Sequence, residues 1–190
     1  LKNGDALLQT LESLQIEGKI RAWGISVRSP DDGLDVLNLL KPAAIQVNFN
    51  LVDQRAKENG LFQKCGEMNV GVIVRTPLCF GFLTGMYCAD STFDRSDHRS
   101  TWSSDQIARW ANSPSKFASE IPNDKTQTAA QLALRFCISD DSISTAIPGM
   151  LKVSEVEENA LASDLGPIEH NSLMVLEKIY QNNEFFIPRT

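Results

Sequence analysis

Short apolar runs alternate with helix-periodic stretches along most of the chain, and this alternation constrains the fold more than any other feature. Gly71-Val72-Ile73-Val74 is wholly apolar, the kind of strand that a parallel sheet buries on both faces. Ile20 to Ile25 and Ala43 to Phe49 read as strands before it, and Ser142 to Ile147 as a strand after it. Ala6, Leu7, Leu11 and Leu14 recur at helical spacing at the start, closed by Gly18. Ser29-Pro30-Asp31-Asp32 is a helix start, followed by an apolar face of Leu34, Val36, Leu37, Leu39 and Leu40, with Pro42 beyond its end. Further helices are predicted over Gln54 to Met68, Thr128 to Ile138, Ser154 to Ala162 and Ser172 to Tyr180. Strands and helices in this order mean βαβ units and a parallel sheet. Ala89 to Lys125 is polar with weak periodicity and reads as a long loop inserted in a single domain spanning 1–190.

Two architectures satisfy that order, a doubly wound open sheet and part of a (β/α)8 barrel. No G-x-G-x-x-G follows a strand and no G-x-x-x-x-G-K-[ST] occurs, so the nucleotide fingerprints of open sheets are missing. A full barrel needs eight strands and about 250 residues. This chain of 190 residues supplies four strands, which makes the expected fold α/β, a half-barrel of four parallel strands with their helices.

Charge and cysteine usage exclude several functions. A net charge of −6 is unsuited to neutralising phosphates, so a nucleic-acid partner is not expected. No apolar run reaches the roughly 20 residues of a membrane helix. Cys65, Cys79, Cys88 and Cys137 lack C-x-x-C spacing and read as reduced thiols of a cytoplasmic protein. His98 and His170 have no neighbouring ligands from which to build a zinc site. The chain starts at Leu1 and opens directly into a helical pattern, as if cut from something longer.

Four ordered motifs resemble the aldo-keto reductases. They are Gly18-Lys19-Ile20-Arg21-Ala22-Trp23-Gly24-Ile25-Ser26; Gln46-Val47-Asn48-Phe49-Asn50 running on to Arg55; Gly71 through Thr76-Pro77-Leu78 to Gly81-Phe82-Leu83-Thr84-Gly85; and Ala130 to Phe136 followed by Ile147-Pro148-Gly149 and Glu157-Glu158-Asn159. The resemblance covers nearly the whole chain and places it on strands five to eight of that family's barrel. It implies NAD(P)H-dependent reduction of a small carbonyl substrate, with NADP as the usual cofactor and NAD possible. Ser26 and Gln46 fall where the family holds the nicotinamide carboxamide, and Arg75 where many members stack an aromatic on the ring. Thr76, Pro77, Leu78, Gly81 and Leu83 match the pyrophosphate strap. Gly149, Met150, Leu151, Lys152, Glu155, Glu158 and Asn159 match the adenosine end.

The chain departs from the pattern at named positions. Val27 stands where Asn is usual, Leu151 where relatives carry an Arg for the 2′-phosphate, and Glu155 where Gln is common. The family's catalytic Asp, Tyr, Lys and His belong to the first four strands. Neither Tyr87 nor Tyr180 matches a catalytic position, so this chain alone is not expected to catalyse, and no residue in it is assigned a catalytic role. Each site residue also has a plainer reading. Ser26 suits a turn or cap, Arg75 an ion pair with Asp53, Cys79 simple packing, and Asp53 with Arg55 a local salt bridge. His98, Trp102 and Trp110 suit either a substrate wall or a mobile surface segment. The alternative for the whole chain is a non-catalytic half-barrel that pairs with a second copy or a complementing half through its open edges, burying at least about 1,000 Å².

Overall fold

The computed structural model describes residues 4–121 and 127–187. Four strands, β1 (Gly24–Ser26), β2 (Ala44–Asn48), β3 (Gly71–Arg75) and β4 (Ile143–Ile147), form one parallel sheet in the order β1-β2-β3-β4. Among the described residues strand order never reverses, so this sheet shows no switch point of the kind a doubly wound fold uses.

Helices α1 (Gly4–Ile16), α2 (Pro30–Leu39), α3 (Arg55–Glu58) and α4 (Leu61–Glu67) intersperse the first three strands. Helices α5 (Ser104–Ala111), α6 (Ser113–Ala118) and α7 (Ala129–Ile138) separate β3 from β4, and α8 (Val153–Leu165) and α9 (His170–Gln181) close the chain. Local chemistry sets the helix starts. Ser29 accepts from the Asp32 amide while Asp32 returns a bond to the Ser29 amide, and Thr128 and Gln131 do the same for α7.

Side chains alternate across the sheet. Ile45, Val47, Val72 and Val74 are all at most 1% exposed, and α2, α4 and α7 pack against β2, β3 and β4. Gly33 lets α2 approach closely, since a Cβ there would lie 2.7 Å from Leu61 Cδ2. Phe49, just past β2, stacks on Phe136 of α7 and meets Phe62 of α4 edge-on. The opposite face is open. Register aligns Ser26, Gln46, Ile73 and Thr145 in one row across it, and Asn48, Arg75 and Ile147 in the next.

Three expectations need correction. The first strand spans Gly24–Ser26 and not Ile20 to Ile25, because its partner begins only after Pro42, and pairing starts where the Ala43 amide donates to Trp23 O. The helix expected over Gln54 to Met68 is two helices, broken where Asn59 caps the Leu61 amide and Gly60 takes φ +83°. The stretch read as a loop over 89–125 carries a 3-10 turn, His98–Thr101, together with α5 and α6, and its last residues lie outside the described ones. Helix α5 is short but strongly two-sided, burying Ile107 and Trp110, and an eight-residue helix is easily lost among its polar neighbours.

Candidate active site

Parallel strands bring their C-terminal ends to one side, and most of the expected site residues stand there or in the loops just beyond. Ser26 ends β1 and is the register partner of Gln46. Gln46 Nε2 donates to Ser26 Oγ at 2.9 Å. That bond leaves the Ser26 hydroxyl hydrogen and Gln46 Oε1 without a protein partner among the described residues. A free donor and a free acceptor side by side are the complement of a primary carboxamide.

Arg75 ends β3 and does not pair with Asp53. Its Nη2 donates to Val27 O at 2.8 Å, and its Nε is buried without a partner. Asp53 instead holds Arg55 in a bidentate pair, both bonds 2.7 Å. Thr76 Oγ1 contacts Asn48 Oδ1 at 2.9 Å, and Asn50 Nδ2 donates to Thr76 O at 2.9 Å. Asn48 and Asn50, which contact Thr76, are not among the expected site residues. Period two was the available signal, because Asn48 shares Gln46's sheet face.

The loop beyond β3 is strained. Thr76, Cys79 and Phe80 have φ of 54°, 46° and 57°, and Gly81 has φ 92°. Each non-glycine residue in that region costs on the order of 1–3 kcal/mol, and such strain concentrates at functional sites. Pro77, Leu78 and Leu83 turn into the core, which leaves backbone rather than side chain for any ligand. Cys79 is 2% exposed, and burial pushes its thiol well above the ordinary value, so it packs rather than reacts.

The expected adenosine-end residues form a second set after β4. Gly149, Met150, Leu151 and Lys152 are exposed, and Glu155, Glu158 and Asn159 share one half-buried face of α8. Glu155 Oε2 accepts from the Leu151 amide at 2.7 Å and from the Lys152 amide at 3.3 Å. Its carboxylate therefore occupies amides that an incoming phosphate would want. No hydrogen bond or ion pair joins this set to the β1–β3 set among the described residues.

His98, Trp102 and Trp110 belong to an aromatic cluster with Phe80 and Phe82, where the Phe80 ring lies 4.6 Å from Trp102. Nearby, hydrogen bonds from Arg99 hold the Asp97 carboxyl below its ordinary 3.8, at about 2. A carboxyl lowered on folding stabilises the folded form above its unfolded value and loses that contribution as pH falls through the folded one. The pair is therefore expected to open only between about pH 4 and pH 2. Carboxyl NMR of Asp97 should show a midpoint near 2, and a midpoint near 3.8 would mean that Arg99 lies elsewhere.

All four cysteines are free. Among the described residues no cluster of three or more His, Cys, Asp or Glu could hold a metal ion, and no helix is long and apolar enough to cross a membrane.

Fold and site together define an α/β protein with polar groups gathered at the carboxyl ends of a progressively wound parallel sheet. The sequence model of the aldo/keto reductase family matches residues 4–181, and the chain belongs to that family. It is 29% identical over 155 residues to L-glyceraldehyde 3-phosphate reductase of Escherichia coli (strain K12), covering 76% of this chain and 45% of that one. It is 25% identical over 175 residues to the NADH-specific methylglyoxal reductase of the same organism, covering 88% of this chain and 51% of that one. The fold matches the glycerol dehydrogenase of Gluconobacter oxydans with a TM-score of 0.71 at 23% identity, over 95% of this chain and 55% of that one. The chain thus spans about half the length of the relatives it matches.

Proposed function

We propose that this chain is the cofactor-holding half of an aldo-keto reductase barrel, strands five to eight, acting in NAD(P)H-dependent reduction of a small carbonyl compound in the cytoplasm. The carrying observation is the Ser26–Gln46 pair, which offers one free donor and one free acceptor at the strand ends. The cofactor, when bound, supplies the hydride. Ser26 and Gln46 would fix the plane of its carboxamide, the unpartnered Arg75 Nε lies in the neighbouring row, and the loop from Thr76 to Gly85 would hold the phosphates through its backbone.

The family resemblance assigns proton donation to the developing alkoxide to the first four strands and to no residue of this chain. Tyr87 Oη accepts from Arg99 at 2.6 Å, Tyr180 donates to Glu58 at 3.2 Å, and neither matches a catalytic position of the family. The chain alone is therefore expected to bind dinucleotide without turning over substrate. Titration with NADH and NADPH, followed by tryptophan fluorescence, tests this. Saturable binding supports it, and no binding of either nucleotide at millimolar concentration removes it.

Glu155 bears on the choice between cofactors. With its carboxylate on the Leu151 and Lys152 amides and Leu151 where an Arg is usual, a 2′-phosphate meets like charge rather than a clamp. NADH should bind at least as tightly as NADPH. Glu155→Gln should improve NADPH relative to NADH about fivefold, the effect of roughly 1 kcal/mol at a helix terminus. An unchanged ratio in the same titration would show that the carboxylate does not face the phosphate.

A second reading, a half-barrel that works by association, draws on the open sheet face and on β1 and β4, each paired on one side only among the described residues. Solution mass separates the two, because a sheet edge left bare invites pairing with a second copy or a complementing half. A monomer at micromolar concentration would count against this reading.

A further inference from the structure

We infer that Arg99 is a positioning residue for the loop after β3, holding its left-handed turn in the one shape that can receive a dinucleotide's phosphates. The inference deepens the cofactor reading and rests on it. Cys79, Phe80 and Gly81 are three successive residues at positive φ, two of them with side chains that disfavour it. Such a turn persists only when its surroundings over-determine it.

Arg99 supplies much of that determination from about twenty residues along the chain. Its Nη1 donates to Phe80 O at 3.3 Å, the one backbone carbonyl that its side chain reaches among the described residues. The same nitrogen donates to Tyr87 Oη at 2.6 Å, and the Tyr87 ring sits where a Cβ on Gly81 would lie 3.1 Å from its Cε2. On its other edge the guanidinium is gripped by Asp97, with Nη2 to Oδ2 at 2.6 Å and Nε to Oδ1 at 3.0 Å. The rings of Phe93 and Tyr87 flank it, with centroids 4.4 and 5.0 Å from its Cζ. Its side chain is 21% exposed.

This arrangement separates charge from shape. Asp97 already pairs the cation, so Arg99 acts on the loop by geometry, and a planar fork is what lets one side chain bind carboxylate, phenol and carbonyl together. Lysine has the charge without the fork. The role is therefore one that Arg99→Lys should fail to restore.

The test uses the full chain, with NADH and ADP-ribose as probes. Arg99→Met and Arg99→Lys are each expected to weaken both probes by the same factor, about tenfold, because both carry the pyrophosphate and a loop shifted by an ångström loses its contacts. Amide exchange should accelerate at Gly81, Leu83 and Gly85, whose N–H groups bond within the loop. Phe93→Leu, which removes packing on the guanidinium and leaves its hydrogen bonds, should lower the melting temperature and leave both affinities intact. Arg99→Lys binding within twofold of wild type overturns the proposal, as does an affinity loss that Phe93→Leu reproduces in full. Wild type that binds neither probe overturns the cofactor reading and this proposal with it. Wild type that binds, with Arg99→Met binding equally, removes only the role of Arg99.

Discussion

Gln46→Leu is expected to weaken NADH binding by roughly 10- to 100-fold while leaving ADP-ribose binding and the melting temperature unchanged. The side chain projects from the open face of β2 and is half-exposed, so its removal leaves no cavity in the core. The loss is specific. Without Gln46 the Ser26 hydroxyl no longer has its orienting donor, and a carboxamide placed there lacks the acceptor for its N–H. Leaving one or two such groups unpaired costs about 1–3 kcal/mol, and each 1.4 kcal/mol is tenfold in affinity. ADP-ribose has no nicotinamide and serves as the internal control. Equal weakening of both ligands would mean that Gln46 supports the site as a whole, and no weakening of either would remove the Ser26–Gln46 pair from it.

Phe49→Ala should be strongly destabilising. Phe49 is 1% exposed, stacks on Phe136 at 5.2 Å and meets Phe62 at 4.9 Å, and so ties the end of β2 to two helices far apart in sequence. Truncating a buried Phe costs about 3–5 kcal/mol through lost transfer energy and the cavity left behind. Against a total stability of roughly 5–15 kcal/mol this is a large share. At about 2–4 °C per kcal/mol for a domain of this size, the melting temperature should fall by roughly 6–20 °C. Denaturant unfolding checks it, and a loss below about 1 kcal/mol would show that the three rings do not share one core.

Adjacent residues marked the order of the four strands and the starts of several helices. Ser29 with Pro30 and Thr128 with Gln131 mark helix starts through bonds that close within four residues, and such bonds need no distant partner. The apolar run Gly71 to Val74 marked a strand, but only Val72 and Val74 are buried, because Gly71 and Ile73 lie on the open face. Ser26, Gln46 and Arg75 were named through the family resemblance alone, and folding sets them on one face of the sheet, Ser26 and Arg75 at strand ends.

Tertiary structure decided the rest, wherever a residue's partner lies far along the chain. The length of β1 depends on where β2 begins, twenty residues later. Arg75 at the end of β3 reaches past β2 to the Val27 carbonyl just after β1, while Asp53 finds its cation in Arg55. The left-handed turn at Cys79–Gly81 is held by Arg99, Tyr87 and the Trp102 ring, and Arg99 and Trp102 belong to a segment whose weak periodicity concealed two helices. Local bonds of a fraction of a kcal/mol to about 1 kcal/mol can be read from adjacent residues. Contacts that offset the strain of several positive-φ residues come from chain segments that only folding brings together.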